Sequence, residues 1–195
     1  MITIAVIGRA HHGGEDAVPQ KTLHAAYEVG RLIAAAGAVL VSGGTTGVME
    51  AASRGAHEAG GLTVGIIPGT ERGSANQYVD ISLPTGLGTA RNLIHARGAD
   101  AIVMIGGGAG TLNELTIAYQ ARRSVVVLEG TGGWADRIRG VLVDGRYVDE
   151  RRVTEVFFAQ KPAEAVDKAM ELARAVEARG AVTDDPSAWL GTDQF

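Results

Sequence analysis

Two residues of this chain have the type and spacing to act on a bound ligand. Glu114 stands one turn into a helix that opens on Gly106-Gly107-Gly108-Ala109-Gly110, and Arg91 lies 23 residues before it. A glycine-rich turn feeding a helix leaves backbone N–H groups unpaired at the positive end of the helix dipole, which favours phosphate or another anion. Gly107, Gly108, Ala109 and Gly110 are therefore candidates to hold such a group through their amides, with the Thr111 hydroxyl beside them. A second loop, Ser42-Gly43-Gly44-Thr45-Thr46-Gly47, also runs into a helix, and Gly8 ends the first strand. Glycine lets the backbone approach a ligand closely. Gly8, Gly43, Gly44, Thr45 or Thr46, and Gly47 are thus expected to line the same pocket.

Each candidate has a plainer reading. Thr111-Leu112-Asn113-Glu114 has the form of a capping box, in which hydroxyl and carboxylate satisfy orphan amides reciprocally, and this is the favoured reading of Glu114 from the residues alone. Arg91 is either a surface arginine or a planar donor to phosphate or ribose oxygens. It shares a helix face with Asn92 and His95, while Ala90, Leu93 and Ile94 are expected to point to the core. His11-His12-Gly13-Gly14-Glu15-Asp16 invites a metal reading. Adjacent histidines on a loop lack the i, i+4 geometry of a helical metal pair, so a lid or a solvated loop is preferred and no metal site is expected.

Familiar nucleotide signatures fail. Walker A requires Gly-Lys-Ser/Thr, and Gly110-Thr111-Leu112 has no lysine. The dinucleotide pattern would need glycine where Thr111 stands, and the second strand ends in Val41-Ser42-Gly43 without a ribose-binding acid. What remains is a phosphorylated ligand held mainly by backbone amides.

The elements that must position these residues follow from punctuation. Apolar, β-branched runs at 2–8, 38–41, 62–67, 78–83, 101–105, 124–128 and 153–158 read as strands. Between them, 20–36, 47–59, 87–98 and 111–121 read as helices, with a short helical piece at 134–138 and a final helix from Pro162. The first helix places Leu23, Tyr27, Gly30 and Ile33 on one face, and the last places Ala163, Val166, Met170 and Ala173 on its buried stripe. Such alternation indicates an α/β fold, a Rossmann-like doubly wound parallel sheet in one domain over residues 1–180. Residues 181–195 read as a loose tail, with Trp189 and Phe195 able to reach a partner.

Composition narrows the classes. The 195 residues, 46% of them hydrophobic, suffice for a core of ordinary size, and the absence of cysteine excludes disulfide scaffolds and a thiol nucleophile. The net charge of −4 is not the footprint of a nucleic-acid binder. No apolar run approaches a membrane span and no signal peptide is evident, so a cytoplasmic protein is expected.

Gly107-Gly108-Ala109-Gly110-Thr111-Leu112-Asn113-Glu114 resembles the PGGxGTxxE motif of the "lonely guy" phosphoribohydrolase superfamily, long mislabelled lysine decarboxylases. Val41-Ser42-Gly43-Gly44 with Gly47-Val48-Met49 is similar to that family's first glycine motif, and the likeness spans about residues 1–178. Gly106 stands where the family has proline and Asn92 where it has lysine, which looks more like the branch containing molybdenum-cofactor carrier proteins. The resemblance implies a homodimer, and Glu114 and Arg91 as the catalytic pair if there is turnover. It supports a binding or carrier protein for a phosphorylated nucleotide-like ligand, a nucleoside monophosphate or a molybdenum cofactor, with no cofactor required. The alternative is a phosphoribohydrolase that cleaves the N-glycosidic bond of a nucleoside 5′-monophosphate; a structural or regulatory module is a third class. Decarboxylation is discounted, because a pyridoxal phosphate enzyme needs a Schiff-base lysine, and Lys21, Lys161 and Lys168 all lie outside the glycine loops.

Overall fold

The computed structural model of the chain describes residues 1–11 and 17–180. Seven strands form one sheet: β1 (Thr3–Gly8), β2 (Val39–Ser42), β3 (Thr63–Ile67), β4 (Ile81–Pro84), β5 (Ala101–Ile105), β6 (Ser124–Leu128) and β7 (Val156–Ala159). All pairings are parallel, in the order β4-β3-β2-β1-β5-β6-β7. The helices are α1 (Gln20–Ala35), α2 (Val48–Glu58), α3 (Asn92–Arg97), α4 (Ala109–Gln120) and α5 (Pro162–Gly180). The expected tail, and most of the histidine loop, lie outside the described residues.

The buried positions of the central strands are apolar except for Ser42, because both faces of the sheet are covered. Ile4 and Val6 of β1 face α1, α2 and α5, while Ala5 and Ile7 face α3, α4 and two 3₁₀ turns at Gly133–Asp136 and Ile138–Val141. The strand order reverses at the β1–β5 pair, so the chain leaves those neighbouring strands toward opposite faces. That divergence opens a crevice at the carboxyl edge, where open α/β sheets bind ligands.

Helices α1 and α2 pack with almost no side-chain thickness between them. A methyl group at Gly30 would overlap the Ala52 carbonyl, and one at Gly55 the Tyr27 carbonyl. At the sheet edge, Asp80 Oδ2 accepts the Thr63 N–H at 2.9 Å while Oδ1 lies 3.0 Å from His57 Nδ1, tying α2 and β3 to the segment before β4.

The buried faces of three helices depart from the sequence reading. The buried face of α1 is Thr22, Ala26, Val29, Gly30 and Ile33, which keeps Gly30 and Ile33 of the expected stripe but leaves Leu23 and Tyr27 only partly covered. In α5 the stripe includes Ala165, Val166, Ala169, Met170 and Ala173, and Ala163 is exposed. The largest departure is α3, whose expected sides are exchanged. Arg91, Asn92 and His95 are buried, whereas Leu93 and Ile94 are 49% and 43% exposed. Polar partners on α4 outweigh hydrophobic patterning over so short a helix: Asn92 Nδ2 donates to Asn113 Oδ1 at 3.0 Å, and Arg91 and His95 both reach Glu114.

Candidate functional site

Two glycine turns frame the crevice. Gly106 and Gly107 both take positive φ, 60° and 109°, carrying the chain from β5 into α4. A further loop, which the sequence alone did not single out, holds that turn. Thr131 Oγ1 accepts the Gly106 N–H at 2.8 Å and donates to the Leu128 carbonyl at 2.6 Å, while Trp134 N–H donates to Gly107 O at 3.0 Å. Asp136 closes this brace by accepting the Gly130 and Gly132 N–H groups. The signal was Gly130-Thr131-Gly132-Gly133 itself, a third glycine turn at the carboxyl edge.

α4 begins at Ala109, two residues before the expected cap, with Gly108 as N-cap and no side chain capping it. The capping-box reading is therefore overturned. Thr111 lies within the first turn, 3% exposed and turned beneath Gly107, so it cannot act as N-cap to Glu114. Ala109 and Gly110 are exposed at this uncapped end.

Glu114 instead meets α3. Its Oε1 accepts Arg91 Nη1 at 3.1 Å and lies 2.8 Å from His95 Nδ1. All three side chains are nearly withdrawn from water, at 11% exposed for Arg91, 6% for Glu114 and 0% for His95. The Arg91 guanidinium packs over Gly43, where a side chain would collide with Nη2 and with Met49 Sδ. The Arg91 Nε is buried without a hydrogen-bond partner among the described residues. An unpaired buried donor is costly.

The other predicted residues spread around this centre. Gly8 packs where β1 meets Val48 and the Ile105 carbonyl, and Gly47 lies under the 9–11 backbone at the start of α2. Gly44 and Thr45 are fixed by Asn76, which donates its N–H to Gly44 O at 2.8 Å and Nδ2 to Thr45 O at 2.8 Å. The Thr46 hydroxyl is engaged by the His11 backbone, and the Thr45 hydroxyl faces Met49 Sδ at 3.6 Å. Neither hydroxyl is directed at α4. A separate groove of about 570 Å³ runs between α1 and α2, lined by Tyr27, Glu50, Arg54 and Tyr78 among others. It lies on the opposite sheet face from α3 and α4, and among the described residues it meets the glycine loops at His11, Thr46 and Gly47.

A parallel sheet with glycine turns at its switch point and an arginine–glutamate pair between α3 and α4 defines a Rossmann-like protein of the LOG type. The chain belongs to the SLOG cluster4 family, whose model matches residues 1–166. Among solved structures it resembles the molybdenum cofactor carrier protein of Chlamydomonas reinhardtii, with 33% identity and a TM-score of 0.73 over 89% of this chain and 98% of that one. It also resembles the molybdenum cofactor binding protein of Rippkaea orientalis, with 32% identity and a TM-score of 0.72 over 90% and 97%. A cytokinin riboside 5′-monophosphate phosphoribohydrolase of Mycobacterium tuberculosis is 38% identical over 100 residues, 50% of this chain and 54% of that protein. Among the described residues, no helix is long and apolar enough to cross a membrane.

Proposed function

We propose that the protein binds a phosphorylated, nucleotide-like ligand at the carboxyl edge of the sheet, as a carrier of the molybdenum-cofactor type. The observation that carries this reading is an exposed, uncapped helix N-terminus beside a buried guanidinium whose Nε lacks a partner among the described residues. On this reading the amides of Gly107, Gly108, Ala109, Gly110 and Thr111 hold the phosphate. Gly43, Gly44, Thr45 and Gly47, with Gly8 beneath them, bound the rest, and Arg91 and Glu114 face what the phosphate carries. The likeness to two proteins named for binding this cofactor, over nearly their whole length, supports the ligand class. Calorimetric titration of the purified protein with molybdopterin, AMP and inorganic phosphate tests it. Heat for at least one organic phosphate, competed by phosphate, is expected; no heat for any of them overturns the reading.

A second reading is hydrolysis of a nucleoside 5′-monophosphate to base and ribose 5-phosphate, favoured by the direct Arg91–Glu114 contact and the mycobacterial relative. Glycosidic cleavage passes through an oxocarbenium-like state that a nearby carboxylate stabilises. Phosphate binding at α4 would then supply remote binding energy for the chemical step. Release of adenine from AMP by the wild type, absent in Glu114→Ala, supports turnover; equal release by both refutes a catalytic Glu114.

We further propose a cytoplasmic homodimer. Ile81 and Leu83 of the edge strand, on the α3 side of the sheet, are 42% and 45% exposed, and Leu87, Leu93 and Ile94 lie exposed along the neighbouring segment. A second copy would cover this face, because parallel sheets bury both faces and an isologous contact needs one self-complementary patch. Sedimentation of the wild type as a dimer and of Leu93→Glu as a monomer is expected; a monomeric wild type removes the proposal.

A further inference from the structure

We propose that His95 is a positioning residue: it fixes the Glu114 carboxylate through Nδ1–H so that one oxygen is consumed inside the protein and the other is left for the ligand. The inference deepens the binding reading above and rests on it for the ligand, though not for the geometry. Glu114 Oε1 receives two donors, Arg91 Nη1 at 3.1 Å and His95 Nδ1 at 2.8 Å. Oε2 has no hydrogen-bonding partner among the described residues.

The placement of the proton follows from the distances. At 2.8 Å, a bare Nδ1 lone pair would face a carboxylate oxygen, acceptor against acceptor, so Nδ1 must carry hydrogen. The competing arrangement has Nε2–H donating to the Val41 carbonyl and Nδ1 accepting from Arg91. Both of those separations are 3.5 Å, at the limit of hydrogen bonding. The short contact decides the tautomer. Two converging donors then hold the carboxylate in one rotamer, and a carboxylate oxygen free of protein donors can only accept. The ligand class this selects carries a hydroxyl or N–H donor near its phosphate, such as a sugar diol or the amide edge of a fused heterocycle. His95 itself is 1% exposed and does not touch the ligand.

The test compares His95→Asn, which retains an N–H donor near the Nδ1 position, with His95→Leu, which fills the space without one. Wild type and both variants are titrated at pH 7 with AMP and with inorganic phosphate, with thermal melting alongside, and the wild-type His95 ring is examined by long-range ¹H–¹⁵N NMR. A positioning role predicts a proton on Nδ1. It also predicts AMP affinity within about twofold of wild type for His95→Asn and at least about tenfold weaker for His95→Leu, with phosphate affinity unchanged in both. A packing role predicts the reverse order, since leucine suits an apolar site better than asparagine. Unweakened AMP binding by His95→Leu, loss in His95→Asn as large as in His95→Leu, or an unprotonated Nδ1 would each overturn the proposal. If the wild type binds molybdopterin and not AMP, the three proteins are compared with molybdopterin under the same criteria; if it binds neither, it is the ligand reading that fails, and the ring tautomer alone then upholds or refutes the role of His95.

Discussion

Arg91 and Glu114, 23 residues apart in the chain, meet at 3.1 Å between α3 and α4 with both side chains almost fully buried. A buried ion pair is weak evidence of net stabilisation, because desolvation offsets the attraction, yet removing one partner strands a charge in a dry place.

Glu114→Ala is accordingly expected to destabilise the protein by about 3–5 kcal/mol. Glu114→Gln, which leaves Arg91 an amide oxygen, should cost less. Urea unfolding measures both. An Ala variant with the wild-type midpoint would mean that Arg91 finds water or another acceptor, and that the pair is not closed in solution.

Gly43→Ala should disturb the same centre from the opposite side. Its methyl would collide with Arg91 Nη2 and come within 2.6 Å of Met49 Sδ. A loss of about 1–3 kcal/mol is expected from such overpacking. Gly73→Ala is the control, since nothing lies within 4 Å of the added carbon. Thermal unfolding of the two variants should differ clearly; equal melting would show that Arg91 is mobile there.

Thr131→Val tests the brace beneath the glycine turn. The replacement keeps the shape but removes the acceptor of the buried Gly106 N–H. An unmet donor of this kind costs about 1–3 kcal/mol, and Thr131→Ser should recover most of it. Faster hydrogen exchange at the Gly106 amide in the valine variant is the specific readout; unchanged exchange would dismiss the brace.

Asp80 gives a pH-dependent prediction. Burial works to raise its carboxyl, but the N–H and hydroxyl of Thr63 and the adjacent His57 outweigh that and hold it below its ordinary value of 3.8. A carboxyl lowered in the folded state contributes stability that is fully present above the unfolded value and is lost as pH falls through the folded one. Asp80→Asn should therefore be less stable than wild type at neutral pH, with the gap narrowing below about pH 4. Urea midpoints from pH 3 to 7 check this, and a constant gap would contradict it.

The sheet was readable because its determinants are local. Unbroken apolar runs such as 101–105, closed by glycine, admit little besides a strand covered on both faces. The glycine turns were readable for a similar reason, since Gly106 and Gly107 stand where the backbone takes positive φ. What could not be read depended on partners distant in sequence. The Thr111–Glu114 spacing fits a capping box as well as it fits a carboxylate reaching α3, and only the approach of Arg91 and His95 decides between them. The inversion of α3 has the same origin. Patterning over six residues is a weak constraint, and three side-chain contacts to α4 reverse it.

The contact of α1 with α2 at Gly30 and Gly55 has a mechanical corollary. Where carbonyl groups of one axis occupy the space a methyl would need on the other, neither rod can roll or slide without the backbones separating. That side of the crevice is a stiff wall, so on the carrier reading proposed above, accommodation of ligands of different sizes falls to the turns above it and to the short α3 opposite.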